Sequence, residues 1–80
     1  MVILKLTRHF QDMMQYRGIN FDHVKLAMKS PTSTEPTYDG KVKNTKELED
    51  GRTITVIHNP EGFGNPNVRV IITAYYSPND

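Results

Sequence analysis

The chain has 80 residues, no cysteine and a formal net charge of +1. That length implies one domain, and the missing thiols exclude disulfides, thiolate metal sites and cysteine nucleophiles. The near-neutral balance argues neither for nor against a nucleic-acid partner.

The opening stretch, MVILKL, is too short for a secretory signal and reads as a strand or packed arm over residues 1–6. No apolar run approaches the ~18 residues of a membrane span. The expectation is a cytoplasmic chain with no membrane partner. A domain of this size buries only about 60% of the surface its unfolded chain exposes. A homodimer would therefore help it.

A helix is expected over residues 8–17. Thr7 supplies an N-cap hydroxyl, and Phe10, Met13, Met14 and Arg17 fall at the spacing of one helical face. Gly18 suits a left-handed C-terminal residue. Asn20 or Asp22 then caps a second helix over 21–29, with Phe21, Val24, Ala27 and Met28 as its stripe and Ser30-Pro31 as its stop. The segment PTSTEP, residues 31–36, reads as a flexible connection.

Three antiparallel strands follow, near 38–47, 52–58 and 67–76. Asp50-Gly51 between two extended runs is a hairpin signal, and RTITVIH and VRVIITAYY are rich in β-branched and aromatic residues. Residues 59–67, with two prolines and two glycines, read as a long loop, and 77–80 as a frayed tail. Two helices before a meander mean α+β: both helices on one face of a small antiparallel sheet of three to four strands, in one domain spanning 1–80.

Strand alternation assigns the faces. Val70 and Ile72 should join Ile54 and Val56 under the helices, in a core with Phe10, Met13, Met14, Val24 and Met28. Replacing Ile72 by alanine should then cost about 2–5 kcal/mol. The opposite face would carry Thr53, Thr55, Arg69, Thr73 and Tyr75. Such a face suits plain solvent, and it also suits single-stranded RNA.

His9 is the first chemical candidate. Arg17 lies eight residues on, about 12 Å along the axis and within a quarter-turn, so both can look into one groove. An imidazole moves protons near neutral pH, and a guanidinium holds a phosphate with two parallel hydrogen bonds. The plainer readings are a polar neighbour of the cap for His9 and a stem laid over the core for Arg17. His23 reads as a surface residue and His58 as a strand end. Across residues 1–30, Lys5, Arg8, Arg17, Lys25 and Lys29 against Asp12 and Asp22 bias this half basic. No histidine pair stands at ligand spacing and no phosphate loop is present, so neither a metal site nor a cofactor is expected.

Thr7-x-His9, Arg17-Gly18-Ile19, His23-Val24, Pro31, Asp50-Gly51-Arg52 and Ile71-Ile72-Thr73-x-Tyr75 form a pattern. On it the chain resembles a small bacterial and phage family, domain of unknown function 4258, over most of residues 7–76. It departs from that pattern at Phe10, where a small residue is usual, at Gln15-Tyr16, where acidic residues are common, and in a longer 59–67 loop. The resemblance implies a compact α+β domain. Its helices-then-sheet order is similar, at the level of fold, to the barnase, colicin and RelE-like ribonucleases, many of them toxins. Carried over by position, His9, Arg17, Thr73 and Tyr75 would be the recurrent polar positions and the catalytic set, with Arg52 a weaker addition; Arg52, and Arg69 from the polar strand face, are the expected nucleic-acid contacts.

Two functions are therefore expected to compete. One is a metal-independent RNA-cleaving or RNA-binding domain of toxin type, partnered by a small inhibitor protein. The other is a non-enzymatic interaction module, such as an accessory protein of a mobile element.

Overall fold

The computed structural model describes residues 3–59 and 68–78. In chain order they form β1 (Ile3–Leu6), α1 (Arg8–Arg17), α2 (Phe21–Lys29), β2 (Ser33–Pro36), β3 (Val42–Glu47), β4 (Arg52–His58) and β5 (Val68–Pro78). The 59–67 loop falls, beyond Asn59, outside the described residues, as does the end of the tail.

Both helices start and stop where local chemistry dictates. Thr7 Oγ1 accepts from Phe10 N at 3.0 Å, which satisfies an amide that the first turn leaves open. Asn20 Oδ1 does the same for Asp22 N at 2.9 Å. Gly18 ends α1 in the left-handed region at φ 66°, and Ile19 N closes the turn on Met14 O at 2.8 Å.

The five strands make one mixed sheet in the order β1-β5-β4-β3-β2. The antiparallel pairing of β4 with β5 and β3 with β4 follows the sequence reading. The size of the sheet and one of its directions do not. β1 pairs in parallel with β5, from Ile3 opposite Val68 to Leu6 opposite Ile71. PTSTEP, expected as a connection, holds β2, an edge strand paired antiparallel with β3. Residues 38–41, expected in a strand, are the turn between β2 and β3. β5 also runs on to Pro78, past the expected start of the tail.

The two hairpins share one device. Gly40 N bonds Thr37 O at 3.2 Å while Thr37 N bonds Lys41 O at 2.9 Å; Gly51 N bonds Leu48 O at 3.2 Å while Leu48 N bonds Arg52 O at 2.8 Å. The glycines sit at φ 85° and 87°. Each is a tight turn closed by a left-handed glycine, built from Thr37-Tyr38-Asp39-Gly40-Lys41 and Leu48-Glu49-Asp50-Gly51-Arg52. The same Asp-Gly-cation signature that marked the β3–β4 hairpin also stands at Asp39-Gly40-Lys41. It marks β2.

The core joins Phe10, Ile19, Val24, Ala27, Ile54, Val56, Ile71 and Ala74, with Met13, Met14 and Met28 packed partly buried against it. Val70 and Ile72, expected there, are only half-buried and lie outside it. The reason is a register shift. His58 faces Ile71 but Ile57 faces Thr73, so Ile72 is an extra residue on β5. Alternation breaks there, which lets Ile71 and Ala74, three apart, both be fully buried. Arg69 moves as well. It pairs with Leu4, a core-packing residue, so the register puts it on the helix-facing side. It thus leaves the face that Thr53, Thr55, Thr73 and Tyr75 share.

α1 guards the flank of β5 where β1 stops. Thr7 Oγ1 points to Ile71 O and Arg17 Nη1 to Ala74 O, each at 3.5 Å, and Gln11 Nε2 donates to Leu6 O at 3.1 Å. These side chains meet carbonyls that a further strand would otherwise engage.

Candidate functional site

Along α1, His9, Asp12, Met13, Tyr16 and Arg17 line a shallow depression of about 380 Å³. Their spacing puts them on one side of the helix, running from His9, Asp12 and Tyr16 to Met13 and Arg17, which border the face that Phe10 buries. His9 and Arg17 therefore do share one surface. Thr73 approaches it from the sheet: its hydroxyl donates to Met13 Sδ at 3.3 Å. Arg17 makes no hydrogen bond among the described residues except the long one to Ala74 O. Tyr16 stands almost wholly in solvent, at 92% exposure. Tyr75 is exposed on the face of β5 turned from the core. The set His9, Arg17, Thr73 thus gathers along the seam of α1 and β5, with Tyr75 two residues further along the strand.

Arg52 is elsewhere. Its Nε and Nη2 donate to Asp50 Oδ2 at 2.8 and 2.6 Å, and its guanidinium lies 4.3 Å over the Tyr76 ring. Arg52 beside it holds the Asp50 carboxyl below its ordinary range. Tyr76 Oη in turn accepts from Asn20 N at 2.9 Å and lies 2.8 Å from His23 Nδ1. His23 is therefore no idle surface residue, as the sequence suggested. It joins the start of α2 to the end of β5. It also borders a depression of about 520 Å³ with Leu26, Lys46, Glu47, Leu48, Glu49 and Asp50. Nothing local in the sequence marks this network, because His23 and Tyr76 are 53 residues apart.

Arg69 occupies a third place, near His58. The His58 ring is 4% exposed, and burial pushes its pKa down, with the charge of Arg69 adding to the effect. The expected site residues thus fall in three places: only His9 and Arg17 line one depression, and Thr73 reaches it through Met13. Among the described residues no three His, Asp or Glu side chains converge to hold a metal ion, and no helix is long and apolar enough to cross a membrane.

No family model, curated protein or solved structure matches the chain.

Proposed function

We propose that the chain is a small metal-independent domain of toxin type that binds and cleaves single-stranded RNA along the seam of α1 and β5. The observation that carries this reading is the shared depression of His9 and Arg17, with Tyr16 open beside them. The roles follow from the chemistry of the groups. Tyr16 offers a ring on which a base can stack. The guanidinium of Arg17 takes the growing charge on the non-bridging phosphate oxygens. His9 removes the 2′-hydroxyl proton as that oxygen attacks the adjacent phosphorus, or returns a proton to the 5′-oxygen as the P–O5′ bond breaks. The products are a 2′,3′-cyclic phosphate and a free 5′-hydroxyl.

The test is cleavage of a fluorescent single-stranded RNA by wild type, His9→Ala and Arg17→Lys, each checked for folding by circular dichroism. His9→Ala should lose at least about a hundredfold in rate. Arg17→Lys should also fall strongly despite its charge, because the planar fork is lost. Chelator should change nothing. Equal rates in wild type and His9→Ala would remove His9 from the chemistry, and a wild type that binds RNA without cutting it would reduce the proposal to binding.

One observation favours the second reading, an interaction module. The sheet face turned from the helices carries half-buried Ile57 and Val70 beside exposed Tyr75. A chain that sediments as a dimer and ignores RNA would support it.

A further inference from the structure

Two buried polar side chains each present an atom that no group among the described residues satisfies. Asn44 is 5% exposed and His58 4%. Among the described residues neither Asn44 Oδ1 nor His58 Nε2 has a hydrogen-bond partner. A buried polar atom without a partner has given up its water and gained nothing in return, so each calls for an explanation.

The satisfied atoms of each side chain fix the character of the orphan. Asn44 Nδ2 donates to Ala27 O at 3.2 Å and lies 3.7 Å from Met28 Sδ. Flipping the amide would set oxygen against a carbonyl, so Oδ1 stays on the other side, as an acceptor. His58 Nδ1 lies 2.8 Å from Asn59 O. A carbonyl only accepts, so Nδ1 carries the proton. In the neutral ring Nε2 is then a bare lone pair, a second acceptor.

The register makes neighbours of the two residues that carry these acceptors. Val42 faces His58 and Asn44 faces Val56. Asn44 and His58 are thus diagonal neighbours on adjacent strands, about 7 Å apart at the backbone, on the side that packs against α2. Two acceptors cannot satisfy each other; they need a donor with two hydrogens. It must also be neutral, because an isolated buried cation is far costlier than a dipole.

We propose that a single internal water bridges His58 Nε2 and Asn44 Oδ1, donating one hydrogen to each. It links the end of β4 through Asn44 to the Ala27 carbonyl of α2, a polar tie across three elements of an otherwise apolar core. Water suits the site, because buried waters occupy polar positions with at least two partners.

The experiment is nitrogen-15 NMR on the wild-type chain, with water–protein cross-relaxation. The ring should show a protonated Nδ1 and an accepting Nε2, and a long-lived water should contact both the His58 Cε1 proton and the Asn44 side-chain amide. That contact should vanish in Asn44→Leu. If that variant does not fold, a wild-type crystal structure decides, through density within hydrogen-bond distance of both atoms. A protonated Nε2 donating directly to Asn44 Oδ1, or a dry site, overturns the proposal.

Discussion

The two helices rest on the same sheet but use their polar side chains in opposite ways. Around the start of α2, Asn20, His23, Tyr76, Arg52 and Asp50 are chained together by hydrogen bonds and a stacked guanidinium. Along the exposed stripe of α1, His9 and Tyr16 make no hydrogen bond among the described residues, and Arg17 makes only a long one. The difference separates groups that hold the fold from groups left open to a ligand. A side chain already engaged must break its bonds before it can bind anything, whereas one facing solvent loses only its water.

The largest effect expected concerns the core on which both helices depend. Ile71→Ala should cost about 2–5 kcal/mol in chemical denaturation, because Ile71 is fully buried. Ile72→Ala should cost only about 1 kcal/mol, because that half-buried side chain already meets water. Similar losses at both positions would break the account of β5, since they would mean that no bulge divides its faces.

A smaller change sharpens the comparison directly. Tyr76→Phe deletes the oxygen that serves both Asn20 N and His23 Nδ1. Stability should fall by about 1 kcal/mol, while the proposed RNA cleavage should keep the wild-type rate. A large loss of cleavage in a folded Tyr76→Phe protein would move the reactive centre from α1 to α2.

The smallest effect expected is on pH dependence. Burial holds the folded pKa of His58 below its ordinary 6.5. The unfolded chain therefore takes up this proton first as pH falls. The contribution of His58 is fully present above about 6.5 and declines as pH drops from there through the folded pKa. Histidine proton NMR should give His58 a midpoint below that of a free imidazole, and denaturation at pH 8 and pH 5 should show the lower stability at pH 5. A midpoint at the ordinary value would mean that the ring ionises in place.

Much of the fold was legible because its signals are local. Thr7, Gly18 and Asn20 mark helix ends through bonds to neighbours within a few residues. Asp50-Gly51 marks a turn because glycine accepts the left-handed backbone that the turn needs. Gly40, with the same signature, would have disclosed β2 by the same argument. His9 and Arg17 could be placed on one surface because helical periodicity alone decides that relation.

What only the tertiary structure decided depends on partners distant in the chain. The parallel pairing of β1 with β5 joins Leu6 to Ile71, and no local pattern specifies which strand an N-terminal segment will choose. The extra residue at Ile72 leaves no mark in a run of β-branched residues, yet it exchanges the faces of everything before it, sending Arg69 to one side and Thr73 to the other. The bond between His23 and Tyr76 and the stacking of Arg52 exist only once α2 and β5 have docked. Short-range chemistry set the elements of this protein, and the pairing of strands decided which of its polar groups were bound and which were left open.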